Sequence, residues 1–429
     1  MGVKIEFTRK EKIPDKMNSQ SKQISPLKRI NPGRVLLPLG LGTALSLMGD
    51  ATLYTVLPTH TAEAGITLAA VGIILSANRV IRLFLNGPAG YAYDRSPRRR
   101  LFIPALFIGA LSTAMYAAFS GFWPLLTGRL IWGLAWSGIW VGGATIVLDV
   151  TNDRDRGRWT GFYQTWFFLG VALGALAGGW LTDQVGYSTT MWIGAALTAL
   201  GGLAVLIFLP ETHSTRKEDQ PPLHLNISEK WRPSGEFIGV ISLNGINRFI
   251  TAGVLAATLA LLVQDQLTAN NIVIGVATAT GILLGLRTIL SMFAAPMAGS
   301  LSDRLGNRWG VAIAGLVIGS IGMLLLVRND PIIILIGICL TAVAGGSVQV
   351  LVTTRTGDIV NEAQRGKAIG LLHTAGDLGS ALGPVTAYAL LRWITLNDLY
   401  VLCALLFALA AGLALSMYLQ QRKTSKIAT

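Results

Sequence analysis

The sequence predicts an all-α membrane protein, with twelve transmembrane helices arranged as two pseudo-symmetric six-helix bundles. Three observations carry that prediction. Of 429 residues, 52% are hydrophobic and only 13% charged, against about 25% charged in ordinary soluble chains. The apolar residues fall in blocks, and a hydrocarbon core of ~30 Å takes about 20 residues of helix. The chain also repeats itself. Gly90-x-x-x-Asp94-Arg95 returns 209 residues later as Gly299-x-x-x-Asp303-Arg304. At the same offset, Arg156-Gly157 returns as Arg365-Gly366, and Asp149 and Asn152 as Asp358 and Asn361. Gly161, Gly170 and Gly174 return as Gly370, Gly379 and Gly383.

The first six blocks are 35–58, 66–92, 101–119, 122–148, 158–181 and 189–209. The first holds one acid, Asp50, and ends at Pro58. The second carries Arg79 and leads into the Gly90 string and an arginine cluster. The third and sixth are uncharged. The fourth holds Arg129 with Trp132, Trp136 and Trp140, and the fifth holds a ladder of glycines. The second six are 237–263, 272–298, 309–328, 331–356, 366–392 and 397–420. The seventh carries Arg248, and the eighth carries Arg287 and leads into the Gly299 string. The ninth and tenth hold no acid. The eleventh bears His373, Asp377 and Gly383-Pro384, and the twelfth leads into a basic tail. Internal Gly, Pro, Ser and Thr are normal in membrane helices. Turns of a few residues within each half force antiparallel neighbours.

The boundaries that follow are a basic segment at 1–34, a first bundle at 35–210, a linker at 211–236, a second bundle at 237–420 and a tail at 421–429. The linker mixes charges with Pro221, Pro222 and Pro233 and has no helical period. A repeat of ~200 residues is far longer than the ~20–50 of solenoids, and matches the scale on which secondary transporters duplicate a bundle.

The formal charge of +13 raises a nucleic-acid partner, but its distribution excludes one. Lys and Arg crowd residues 1–34, the 95–100 and 154–158 turns, the 216–232 segment and the tail. The alternate turns near 59–65, 119–122, 182–188 and 264–271 hold none. That is the positive-inside pattern, placing both termini and the linker in the cytoplasm of a multi-pass protein. Eleven or thirteen crossings would put one basic terminus outside. Cys339 and Cys403 lie far apart in apolar blocks, so no disulfide framework or metal site is expected. The first block is too long for a signal peptide, and Glu6 breaks a myristoylation motif at Gly2. No phosphate loop supports an ATP-driven pump, and no His-Glu-x-x-His or Gly-x-Ser-x-Gly string suggests hydrolysis. An enzyme is not expected, and neither is a cofactor.

The string from Gly90 to Arg100 resembles the signature loop between helices two and three of the major facilitator superfamily. That resemblance covers the chain beyond residue 34. It implies that Gly90, Asp94, Arg95 and Arg98 form a cytoplasmic latch between the bundles, with Asp149 pairing to Arg98. Pro97 replaces the family's usual glycine. The second copy, Gly299, Asp303 and Arg304 with Asp358, keeps Gly306 but has Asn307 where arginine is usual, with Arg308 adjacent. A plain positive-inside turn is the competing reading of the arginines.

Gly161, Gly170, Gly174, Gly178 and Gly179 form a ladder, and residues four apart share one helix face. Small residues let membrane helices approach closely, so tight packing alone explains any single pair. The whole ladder is similar to the antiporter motif seen mainly in the family's drug/proton exchangers, with Ala175 replacing its proline. Gly370, Gly379, Gly383 and Pro384 repeat it on helix eleven. The resemblance favours the drug/proton antiporter branch with twelve helices.

A charge at mid-membrane costs at least ~2.5–3.5 kcal/mol and marks a functional candidate. Asp50 lies ~12 Å from its helix end and Arg79 ~15 Å, by the helical rise. Arg129 sits at a depth similar to Asp50. Arg129-x3-Gly133 resembles the family motif whose arginine is implicated in proton coupling, so Asp50, Arg129 and Arg79 are proton-coupling candidates. A permanent structural salt bridge is the alternative. Arg248, Arg287, Asp377, His373 and Trp136 are substrate-cavity candidates. For His373 a packing role is preferred over proton carriage, and for the tryptophans a packing stripe is as good a reading as cargo stacking.

The expected function is proton-coupled efflux of a small organic or drug-like molecule by alternating access, driven by the proton gradient. The alternatives are a uniporter or proton symporter of a sugar or organic anion and, further off, a non-transporting receptor or scaffold. The expected partners are the bilayer, protons and a small molecule, for a monomer in the plasma or bacterial inner membrane. Symmetry fails at Asp50, Arg129 and His373, which align with Leu259, Ile338 and Gln164. There coupling and cargo are expected.

Overall fold

A computed structural model of the chain describes residues 31–152, 155–212, 233–270, 273–361 and 364–427. The basic segment up to residue 30, most of the expected linker (213–232) and the last two residues of the tail lie outside the described residues.

The expected twelve helices are present among the described residues. They are α1 Pro32–Val56, α2 Leu68–Arg95, α3 Arg98–Ala118, α4 Phe122–Val150, α5 Arg156–Val185 and α6 Tyr187–Phe208. The second half has α7 Gly235–Ala269, α8 Val276–Leu305, α9 Arg308–Leu325, α10 Pro331–Ile359, α11 Arg365–Leu390 and α12 Leu396–Ile427. Eleven are long and apolar enough to cross a membrane. The twelfth, α11, spans 26 residues, ~39 Å at the helical rise, and is rich in Gly, Ser and Thr around His373 and Asp377.

Helix ends follow local chemistry rather than the edge of the apolar run. Asn31 caps α1, its Oδ1 accepting from the Gly33 amide at 2.9 Å, with Pro32 in the first turn. Asp330 caps α10 in the same way ahead of Pro331. Both pairings are standard helix starts. α8 runs on to Leu305, seven residues past the predicted edge, until Gly306 adopts a left-handed conformation at φ 58°. The Gly90 and Gly299 strings are therefore the last turns of α2 and α8 rather than loops.

One end of the bundle carries the Arg95 to Arg100 cluster, Arg304 and Arg308, and is called here the basic end. The opposite, far end holds Arg328 and Arg392, two exceptions to the expected charge alternation.

The halves pack alike. α1 lies along α5 as α7 lies along α11, and the halves meet through α5 on α8 and α2 on α11. The glycine ladder explains the first pair: a Cβ at Gly170 would strike the Ala44 carbonyl, at Gly174 the Met48 backbone and at Gly178 Thr52. Gly379 and Gly383 sit in the same way against Gly245 and Gly253 of α7. Gly179 faces the Ala277 carbonyl on α8 and so belongs to the seam between halves. Gly161 and Gly370, expected as packing glycines, have nothing within 4 Å. They correct the prediction, because the ladder's basic-end rungs face open space.

The apolar cores show the same division. Toward the basic end, each half has its own cluster, around Phe102 and Ile139 in the first and Phe237 and Val360 in the second. At the far end one cluster joins the halves, bringing Leu53 and Leu57 of α1 against Ala257 of α7, Ala277 of α8 and Tyr388 of α11. Asp183 of α5 adds a cap to α8, accepting from the Thr278 amide at 2.6 Å. The halves are joined at the far end and part toward the basic end.

Gly174→Val puts a branched side chain into the Met48 backbone and is expected to cost about 1–3 kcal/mol by overpacking. Gly161→Val is expected to leave the unfolding midpoint near wild type. Thermal unfolding in detergent reads both, and equal losses contradict this packing.

Candidate functional site

Charged side chains inside the bundle form two groups: braces at the basic end and a network at mid-depth. The first brace holds α3 to α4. Arg98 is 3% exposed, and its Nε donates to Asp149 Oδ2 at 2.7 Å. Its Nη1 donates to the Tyr93 carbonyl. Glu211, read from sequence only as the start of a linker, caps α3 by accepting from the amides of Arg98 at 2.9 Å and Arg99 at 3.2 Å. A carboxylate at a helix N-terminus is favoured by the helix dipole.

In the second copy the brace is displaced by one residue. Asn307 caps α9 through Gly310, and Arg308 reaches Asp358 at 2.8 Å and Asp303 at 3.7 Å. These side chains are more exposed, 26% for Arg308 and 36% for Asp358. Arg355 adds a third brace, paired with Glu236 of α7 at 2.5 Å. All these ion pairs join helices of one half. Asp94, Arg95 and Arg304 are exposed at the basic end, with the Arg95 guanidinium 3.5 Å from the Tyr91 ring centre. A Cβ at Gly90 would meet only Val141, at 3.9 Å, and one at Gly299 would meet nothing within 4 Å. Neither glycine of the two latch strings is closely packed against a neighbouring helix in this conformation.

The mid-depth network begins with Asp50 and Arg129, which the structure pairs at 2.5 Å. Arg129 is fully buried, whereas Asp50 keeps 16% of its side chain exposed. Arg129 also donates to the Tyr54 hydroxyl at 3.2 Å and lies 5.2 Å from its ring centre. Arg79 lies 5.1 Å from that ring. Tyr54, missed in the sequence, stands between two guanidiniums, a cation-π geometry stronger away from water.

Arg79 is not a partner of Asp50. Its Nη1 crosses the seam to the carbonyls of Ala252 on α7, at 2.8 Å, and Ser380 on α11, at 2.5 Å. Three residues on, Arg82 crosses too and pairs with Asp377 of α11 at 3.1 Å, each side chain 14% exposed. Arg287 of α8 donates to the Thr251 carbonyl at 2.5 Å. The acceptors on α7 are offered by a π-helical stretch, Phe249–Leu255, a local widening that recurs at functional sites. Nothing in the sequence signals it. Arg248 precedes it and lies within electrostatic reach of Asp377, Arg79 and Arg82.

One cavity candidate moves and one stays near the seam. His373 is exposed on the basic-end side of Asp377, within electrostatic reach of Asp377, Arg248 and Arg82, so it is not a buried packing residue. Trp136 is only 5% exposed and sits in the first half's core, stacked on Trp132 at 6.1 Å and Trp140 at 5.9 Å, with Phe167 at 6.0 Å. The stripe is packing, so Trp136 lines no cavity here. Among the described residues, no group of His, Cys, Asp and Glu could hold a metal ion.

Two duplicated six-helix halves with charges concentrated at their seam define a membrane transporter fold. The sequence model of the Major Facilitator Superfamily matches residues 39–263 and again 237–428. The chain belongs to the major facilitator superfamily. It is 27% identical to the class E tetracycline resistance protein of Escherichia coli, over 73% of this chain and 76% of that protein. The class H tetracycline resistance protein of Pasteurella multocida is 25% identical over 89% of this chain and 95% of its own. In fold, the chain is similar to the nucleoside transporter NupG, with a TM-score of 0.75 at 16% identity over 89% and 99% of the two chains. A bacterial homologue of the lysosomal transporter Spinster, in an inward-facing and occupied conformation, matches with a TM-score of 0.74 at 15% identity, over 91% and 97%.

The two braces predict unequal losses. Asp149→Ala leaves the buried Arg98 charge uncompensated and is expected to cost about 3–5 kcal/mol. Asp358→Ala, in the more exposed second brace, is expected to cost about 0–1 kcal/mol. Equal shifts in unfolding midpoint contradict the asymmetry.

Proposed function

We propose that this protein exports a small organic molecule in exchange for protons by alternating access, with the basic end facing the cytoplasm of a plasma or bacterial inner membrane. The carrying observation is the path from Asp50 to the seam. Asp50 is the exposed member of a buried ion pair. Protonating it removes the counter-charge of Arg129, which shares Tyr54 with Arg79, and Arg79 holds carbonyls in the other half. A proton on Asp50 thus acts on the contact that moves when the halves rock. A charge crossing the membrane gains ~2.3 kcal/mol per 100 mV. The tetracycline resistance proteins among the relatives support the direction of transport, and the loss of Asp50 and Arg129 from the second half supports a single coupling site.

The seam supports the rocking. Along α2 and α11, contacts step from Gly72 with Pro384 through Arg79 with Ser380 to Arg82 with Asp377. Continuing that antiparallel register sets Gly90 opposite Gly370. Along α5 and α8, Gly179 meets Ala277 and Ala175 meets Gly281, and the same continuation sets Gly161 opposite Ala295, one helical turn from Gly299. Of these repeated glycines, Gly161, Gly299 and Gly370 now face open space, and at Gly90 a Cβ would reach only Val141. In the outward-open state they become the contact surface between the halves, with Asp94, Arg95, Asp303 and Arg304 at its rim forming the latch.

Proteoliposomes with a pH dye inside test the coupling. A panel of drug-like molecules headed by tetracycline is added on one side. Antiport drives protons against the cargo, and co-directional flux overturns the reading. Asp50→Asn is expected to abolish proton-driven accumulation while cargo exchange without a gradient continues. Unchanged accumulation removes Asp50 from coupling.

A further inference from the structure

Among the described residues, the cationic lining of the seam is not balanced by acids. Arg79, Arg82, Arg248 and Arg287 gather there with one carboxylate, Asp377, and the Asp50 and Arg129 charges cancel each other. Asp377 is committed to Arg82. Among the described residues, no carboxylate stands within ion-pair distance of Arg248 or Arg287, and no hydrogen bond engages Arg248. The buried Nε atoms of Arg82 and Arg287 also lack acceptors.

Burying a guanidinium is costly unless it is paired and hydrogen-bonded. Carbonyls of the π-helical stretch of α7 relieve Arg79 and Arg287 in part, supplying partial negative charge but no counter-ion. Among the described residues, only the charge of Asp377, already paired with Arg82, acts on Arg248 in compensation. Arg248 sits toward the basic end from Phe249–Leu255, on the side where the halves part, and is partly exposed. A cationic recess with low-dielectric walls concentrates anions from the compartment it opens to. Planar guanidiniums with free N–H groups recognise carboxylates by paired hydrogen bonds.

We infer that the cargo is an organic anion whose carboxylate binds between Arg248 and Arg287, taking the unpaired charge that Asp377 leaves. This names the substrate class of the export reading above and rests on it. It also fits the energetics of that direction. With the cytoplasm negative, an anion leaving the cell moves down the electrical gradient and a proton entering moves down it too, so both legs of the exchange are favoured.

Purified full-length protein in nanodiscs tests the inference with a matched series: naphthoate, its neutral amide, and naphthylmethylamine as the cation. Naphthoate is expected to raise the unfolding midpoint at millimolar concentration, with the amide weak and the amine without effect. Arg248→Gln and Arg287→Gln are each expected to weaken naphthoate binding at least tenfold, whereas Arg248→Lys keeps part of it. Without ligand, Arg248→Gln is expected to unfold at a higher temperature than wild type, because it removes an unpaired charge. A lower midpoint, equal stabilisation by the amine, or no stabilisation by naphthoate overturns the anion site. Flux separates the two readings. Amine transported against protons refutes the anion but keeps proton-coupled export. Naphthoate that binds through Arg248 without proton counter-flow keeps the anion and refutes antiport.

Discussion

A charge placed in hydrocarbon must find its opposite, and in this protein that constraint falls on the seam between two halves. Arg129 is fully buried and tolerable because Asp50 stands 2.5 Å away. Arg82 is tolerable because Asp377, 295 residues later, reaches it from the other half. A seam closed by apolar packing alone would have no means of sensing a proton. One closed by charges is as stable as their protonation allows.

Glycine sets the complementary constraint. At the far end and mid-depth, Gly72, Gly178, Gly179, Gly281 and Gly383 lie where a Cβ would strike the facing helix. Such backbone contact provides rigid packing without demanding side-chain fit. Toward the basic end, Gly161, Gly299 and Gly370 meet nothing. The same residue type is thus used twice, as a filled contact that holds each half and the far seam, and as an empty one kept for the other state. The 209-residue repeat preserves both kinds because both halves must close on each other.

Much of this was legible in the sequence. Twelve apolar blocks gave twelve helices because hydrocarbon thickness leaves little choice of length. The Arg98 to Asp149 pair was implied by the resemblance to the family's signature string, and Asp50 and Arg129 could be matched because they lie at similar depth as isolated charges in apolar blocks. What escaped has physical reasons. Arg82 was hidden behind Arg79, since its importance lies in a partner on a distant helix. Tyr54 looked like one aromatic among many, and Glu211 looked like linker. The π-helical stretch Phe249–Leu255 has no periodicity of its own to mark it. Trp136 misled because a stripe repeating every four residues describes a core face as well as a cavity wall. Helix ends ran past the apolar edge where polar residues continue the helix beyond the membrane.

The central claim is that the open basic-end surfaces of α2 and α11 meet during transport in the register set by their far-end contacts. The direct measurement is disulfide cross-linking of Gly90→Cys with Gly370→Cys, in a background of Cys339→Ser and Cys403→Ser. A disulfide forms only when Cα atoms come within about 7 Å. The account predicts cross-linking during turnover, with transport arrested until a reductant is added. A pair that never cross-links while transport proceeds would contradict it.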